Sequence, residues 1–166
     1  MFRFNGFTQV ANDAINLSIA QASALGHTYI GSEHLLLGLL SVGSGTAYTA
    51  LRAKGITTED VSELLVKTVG RGIQSVLTPN DLTPCCKRIF ENAVQEAREL
   101  GSPTVGTEHL LLAALREPES YAVGYIRQLG AEPLQIYKNL TEMITNDFHK
   151  NADTKAVKTP PKARSS

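Results

Sequence analysis

Tryptophan is absent from the 166 residues, and aromatic side chains make up only 6% of them. With 42% hydrophobic and 19% charged residues, the composition is that of a soluble globular protein. The length suits one ordinary domain or two very small ones. There are two cysteines, and they are adjacent: Cys85 and Cys86. Neighbours on a helix point in different directions, and a bond between them would be strained, so no disulfide framework is expected. A reducing, cytoplasmic setting is the plain expectation. No apolar run approaches the roughly 18 to 20 residues that span a bilayer, so no membrane partner is expected. The start, Met1 to Asn5, lacks a long apolar segment with a small-residue cleavage site and does not read as a secretory signal. Neither G-x-x-x-x-G-K-[ST] nor G-x-G-x-x-G occurs, so no nucleotide site and no cofactor are expected.

An excess of charge is missing as well. The 16 basic and 16 acidic residues cancel, although unevenly along the chain. From Lys150 onward there are five basic residues and one acid, which leaves the first 149 residues with a net charge of −4. A mildly acidic body argues against nucleic acid as a partner, because affinity there comes from neutralising phosphates.

What the chain does have is a duplication. Leu25-Gly26-His27-Thr28-Tyr29-Ile30-Gly31-Ser32-Glu33-His34-Leu35-Leu36-Leu37 recurs, 75 residues later, as Leu100-Gly101-Ser102-Pro103-Thr104-Val105-Gly106-Thr107-Glu108-His109-Leu110-Leu111-Leu112. The same offset carries Thr8 onto Thr83, Arg52 onto Arg127 and Gly55 onto Gly130. Each unit reads as four helices. Thr8 caps a first helix to about Ala24, and Thr83 with Pro84 starts its counterpart. Gly26 and Gly101 stop these helices. Ser32 and Thr107 cap short, Leu-rich second helices. A third helix runs from Thr46 to Lys54, and its partner ends at Gly130. The fourth runs from Thr57 or Thr58 to about Val69, and from Pro133 to about Asn146.

No segment alternates with period two for long enough to be a strand, so the expected architecture is all-α, with eight helices in two pseudo-twofold-related four-helix repeats. Repeat one covers about residues 2–70, a breaker-rich connector 71–82, and repeat two about 83–146. Residues 150–166, rich in Lys, Thr, Pro, Ala and Ser, read as a disordered basic tail or linker.

The repeated G-[ST]-E-H-[LI]-L-L block, with F-T or L-T-P opening each unit, resembles the Clp repeat N-terminal domain, the double four-helix module at the front of ClpC-type and ClpA-type AAA+ unfoldases. The resemblance covers about residues 2 to 146 and is nearer to ClpC. It implies a non-catalytic module that docks client and adaptor proteins for a Clp ATPase and its peptidase. Because the ATPase portions are absent here, it leaves two readings open. One is a module of a larger protein; the other is a stand-alone regulator or assembly factor that binds Clp components.

In ClpC-like members, the resemblance also implies phosphoarginine binding, in one pocket per repeat. The family's glutamate falls on Glu33 and Glu108, and its threonine on Thr8 and Thr83. A carboxylate accepts the planar guanidinium, and a helix start with free N–H groups suits the phosphoryl group. The family's usual arginine two positions after the threonine is Val10 here, and Cys85 in the second copy. Both positions would rim the pockets, and each pocket thereby loses a charge-assisted phosphate contact worth about 1.5–3 kcal/mol.

Taken without the resemblance, the same residues have plainer roles. Glu33 and Glu108 gain about 0.3–1 kcal/mol each from the positive end of the second helix. His34 and His109 lack a His or Cys at i+4, so metal-ligand spacing is missing and they read as packing or hydrogen-bonding residues. Cys85 and Cys86 lie in a first helical turn, where the dipole lowers thiol pKa, and this raises redox sensing as a hypothesis. The Leu runs read as core.

Overall fold

The computed structural model describes the backbone of residues 1–158 and the side chains of residues 1–146. Eight helices occur in this span: α1 Gln9–Ala24, α2 Ser32–Ser41, α3 Thr46–Ala53, α4 Thr58–Val69, α5 Pro84–Glu99, α6 Thr107–Leu115, α7 Tyr121–Gln128 and α8 Pro133–Lys158. A single 3-10 turn, Pro79–Asp81, interrupts the connector. Among the described residues there are no strands, only two isolated parallel bridges, Phe7 with Val105 and Ile30 with Leu82.

Local chemistry accounts for most of the boundaries. The Thr8 and Thr83 hydroxyls accept from the Ala11 and Cys86 N–H groups, 3.1 Å each, and so satisfy donors that a helix start leaves free. Thr57 does the same for Asp60 at the start of α4. Gly26 and Gly101 adopt φ of +78° and +75°, a left-handed conformation that ends α1 and α5 and that a side chain would resist.

Two expectations are corrected. The N-caps of α2 and α6 are Gly31 and Gly106, while Ser32 and Thr107 are the first helical residues. Their hydroxyls accept instead from the Ala122 and Ala47 N–H groups of the opposite repeat, while His34 and His109 Nδ1, three residues after the caps, accept the cap N–H at 3.0 and 2.9 Å. In addition, α8 does not stop near Asn146 but continues to Lys158. No glycine or proline occurs between Pro133 and Pro160 to break it, so part of the expected tail is helical. Residues 159–166 of that tail lie outside the described residues.

The two units interlock. Helix α2, buried from Ser32 to Leu40, packs against α1, α3 and α4 of its own unit and α5, α6 and α7 of the other. Helix α6 is placed equivalently, against α5, α7 and α8 and also α1, α2 and α3. This exchange of contacts is the pseudo-twofold arrangement. One continuous core results, in which Ile15, Leu35, Leu39, Ile89, Leu110 and Leu111 are each at most 1% exposed. Burying a side chain of this size contributes about 1.5–3 kcal/mol. Among the described residues no single helix is long and apolar enough to cross a membrane.

Candidate functional site

The bridges decide where the helix starts point. Ahead of α1, the Thr8 N–H donates to the Val105 carbonyl at 2.9 Å, and Val105 N–H donates to Gly6 at 2.8 Å. Ahead of α5, Thr83 N–H donates to Ile30, and Ile30 N–H donates to Asp81, both at 2.9 Å. Each unit's first helix therefore begins beside the loop that leads to the other unit's glutamate. Glu33 thus shares a cavity with Thr83 of the other repeat, and the Thr8 helix start lies against the segment leading to Glu108.

A cavity of about 430 Å³ holds the first of these pairs. Glu33 lies in it with Tyr29, Thr83, Cys85, Glu119 and Tyr121. Three helix starts, those of α2, α5 and α7, converge here. Glu33 is almost wholly buried, 1% exposed, and its carboxylate folds back over the helix start so that a Cβ on Gly31 would run into Oε1. Glu108 lies in the same way over Gly106. Glycine precedes the [ST]-E-H block in both copies and leaves room for this carboxylate.

The Tyr29 hydroxyl donates to Glu33 Oε2 at 3.1 Å. Burial raises the Glu33 pKa above its ordinary value, against the opposing pull of its backbone hydrogen bond, the Tyr29 hydroxyl and His27. Tyr29 is raised as well, by burial and then by the Glu33 charge.

Behind Tyr29 a chain of hydrogen bonds ties the end of α4 to the site. His34 Nδ1 accepts from Gly31 N–H, so its proton sits on Nε2, and that N–H donates to His27 Nδ1 at 2.7 Å. His27 Nε2–H then donates to the Gly70 carbonyl at 2.8 Å. Burial, and then the neighbouring His27, push His34 down to about 3. The Tyr29 ring stacks on His27 and meets His34 edge-on, at centroid distances of 6.1 and 5.2 Å. In the second unit Ser102 stands where His27 does, and the buried His109 Nε2 has no partner. Both repeated histidines thus act as hydrogen-bonding core residues.

Cys86 is buried in the core, and Cys85 lines the cavity that contains Glu33. The expected lowering of their pKa is corrected. Burial pushes both thiols up, and the Cys85 thiol faces Glu117 Oε1 at 3.9 Å, a carboxylate that disfavours thiolate. Val10 is absent from the lining of that cavity and lies beside Gly45, which also faces Thr107.

Reading the sequence for motifs missed Tyr29, Glu119 and Tyr121. A signal was available in the divergence of the copies, because the offset of 75 places Thr104, Ser44 and Thr46 at the corresponding positions.

The comparisons agree with the fold. The family described as "Clp repeat (R) N-terminal domain" matches residues 6–129 and 93–162. The chain is 40% identical over 141 residues to chaperone protein ClpC2, chloroplastic, of Arabidopsis thaliana, a match covering 85% of this chain and 15% of that protein. The chain thus spans about one-seventh of the length of such relatives. The N-terminal domain of the Arabidopsis thaliana chaperone ClpD superposes with a TM-score of 0.71 at 23% identity, covering 86% of this chain and 99% of that one. A ClpV N-domain solved in complex with a VipB peptide superposes with a TM-score of 0.63 at 16% identity, covering 87% and 94%. By its duplicated block, its eight interlocked helices and the span of the family match, the chain belongs to the Clp repeat N-terminal domain family.

Proposed function

We propose that this chain is the substrate- and adaptor-docking module of an ATP-dependent Clp chaperone–protease, and that it grips polypeptides where an acid of one repeat meets a helix start of the other. The observation that carries this reading is the cavity joining Glu33 to Thr83 across the repeats. That the ClpV N-domain was solved with a peptide supports polypeptides as the ligand class. Chaperone relatives of which the match covers only 15% support a module over a stand-alone regulator. The module performs no reaction of its own in this reading; clients, adaptors and Clp ATPase or peptidase components are its partners. The compartment is a reducing one, with the plastid joining the cytoplasm because the ClpC2 relative is named chloroplastic.

The test is a chimera. This chain replaces the N-domain of a ClpC ATPase, and ATP-dependent degradation of unfolded casein is measured with the peptidase present. Degradation is restored, and is lost again in the Glu33→Ala, Glu108→Ala double variant while ATP hydrolysis persists. A chimera that hydrolyses ATP but degrades no more casein than an N-domain deletion overturns the reading.

Phosphoarginine-marked chains are the finer reading. One specific observation favours them: Glu33 and Thr83 present a guanidinium acceptor and a helix start within one cavity. The charge missing at Val10 and Cys85 works against it. Calorimetric titration with free phosphoarginine decides. Saturable heat that Glu33→Ala together with Glu108→Ala abolishes supports the ligand, and no heat from the folded protein retires it and leaves polypeptide docking.

A further inference from the structure

The two repeats end their first helices with the same turn but cover it differently. In the first repeat, connector residues 70–77, which form no helix, lie across the end of α1. Gly72 N–H donates to the Leu25 carbonyl at 2.9 Å, and Ser75 N–H to the Ser23 carbonyl at 3.4 Å. The Ser75 hydroxyl donates to the His27 carbonyl at 3.0 Å, and the Ser23 hydroxyl to the Ser75 carbonyl. Gly26 and Gly72 meet backbone to backbone, so that a Cβ on Gly26 would collide with the Gly72 carbonyl. Leu77 then enters the core at 7% exposed, whereas Ile73 and Val76 are each 92% exposed.

In the second repeat Gly101 N–H donates to Arg98 and Ser102 N–H to Ala97, as Gly26 does to Ser23 and His27 to Ala22. No segment returns over this turn, because α8 runs on through Thr145, the position at which Gly70 ends α4. No described residue comes within 4 Å of a Cβ on Gly101, and Leu100 is 37% exposed where Leu25 is 9%. The Leu100 and Ser102 carbonyls accept no hydrogen bond from a described residue. Beside the turn opens a cavity of about 220 Å³, between Gly6 and Phe7 on one side and Val94, Arg98, Ser102 and Val105 on the other. The His109 Nε2–H, whose counterpart on His34 reaches Gly70 through His27, is unpartnered as well.

We infer that the end of α5 is a further docking site, which takes an extended segment of a bound protein as the end of α1 takes the connector. This inference rests on the docking reading and adds to it a contact that uses neither Glu33 nor Glu108. The connector is the template for what fits. A glycine lies on Gly101, because two backbones in contact leave no room for a Cβ. The third residue after it faces the Arg98 and Ser102 side, where its N–H and side chain meet free carbonyls, as Ser75 does at Ser23 and His27. Two residues later an apolar side chain fills the cavity, in the role of Leu77. The intervening positions face water, as Ile73 and Val76 do, and select nothing. Main-chain bonds hold such a segment, and the two or three inward side chains choose it. Charge narrows the choice. Arg98 stands where Ser23 does, is exposed, and bonds only the neutral Gln95, at 3.4 Å. An aspartate at the serine position therefore gains an ionic partner that the connector lacks, and the segment reads Gly-x-x-Asp-x-Leu.

The test titrates the full 166-residue chain with two acetylated, amidated peptides and follows its amide NMR signals. One peptide is GRGIQSVLT, the sequence of residues 70–78, and the other is GRGIQDVLT. Both bind saturably and move the signals of Gly101, Ser102 and Thr104. The aspartate peptide binds up to about 5-fold tighter, the gain of an exposed ion pair. Arg98→Glu, a change at an exposed position, reverses that preference. Gly101→Asn keeps the left-handed turn, which asparagine tolerates, but sets a side chain where the peptide glycine lies and abolishes binding. The Glu33→Ala, Glu108→Ala double variant binds both peptides unchanged. Absence of binding, or signals that move elsewhere, overturns the inference, and casein degradation by the chimera then shows that polypeptide docking stands without it. Binding that emerges only after residues 159–166 are deleted gives the groove to the end of this chain and overturns the inference as well.

Discussion

The Ser32 hydroxyl, at the first turn of α2, accepts the Ala122 N–H at the first turn of α7 at 3.0 Å, so a residue of the first repeat does the capping work for a helix of the second. The reciprocal bond runs from Ala47 N–H in α3 to the Thr107 hydroxyl in α6 at 3.4 Å. Both acceptors stand next to the site glutamates in sequence. The interlocking of the repeats and the placing of the acids are thus one arrangement.

Removing one of these bonds isolates its contribution. Ser32→Ala leaves the buried Ala122 N–H without its acceptor and costs about 1–3 kcal/mol in urea unfolding. Thr107→Val costs less, because its bond is longer. Amide exchange at Ala122 accelerates in the Ser32 variant; unchanged protection there would show that the cross-repeat cap carries no energy.

Equivalent positions in the two repeats respond unequally to truncation. His27→Ala strands the buried His34 Nε2–H and takes the donor from the Gly70 carbonyl, costing about 1–3 kcal/mol or more. Ser102→Ala removes only exposed local bonds with the Thr104 carbonyl and N–H and costs under about 1 kcal/mol. Urea midpoints measured side by side check the contrast, and equal losses would mean the histidine chain does not stabilise the end of α4.

Stability depends on pH with a sign set by His34. In the unfolded chain this imidazole takes a proton near pH 6.5, whereas folded it stays neutral down to about 3. The unfolded state binds more protons between these values, so stability falls as pH drops through that window, by at most about 1.4 kcal/mol per pH unit. His109, lowered chiefly by burial, adds in the same direction. Glu33 acts oppositely: its raised pKa lets the folded state hold a proton above pH 4.5, so its contribution declines as pH rises through that raised value. Urea melts from pH 4.5 to 8 show a shallower pH slope for His34→Gln than for the unaltered chain. Matching slopes would contradict a buried neutral imidazole.

How much of this was legible differs by residue. Thr8 and Thr83 announce helix starts because capping is a contact over three residues. Ser32 and Thr107 look like caps in the sequence, but their hydroxyls accept N–H groups of the opposite repeat, a pairing that no local spacing encodes. The end of α8 was misplaced because a polar, lysine-bearing stretch without glycine or proline permits helix as readily as coil. Tyr121 and Glu119 lie in a loop and helix start with no motif, and only proximity to Glu33 gives them meaning.

The order of residues alone determined the eight helices, their duplication and the family, since capping, glycine stops and apolar spacing act over a few positions. Which acid meets which helix start was decided only in three dimensions. A repeat period is silent on whether a segment pairs with its own copy or the other, and the bridges from Phe7 to Val105 and from Ile30 to Leu82 choose the other. The charge of the Glu33 cavity follows from that choice, because its walls come from α2, α5 and α7 together.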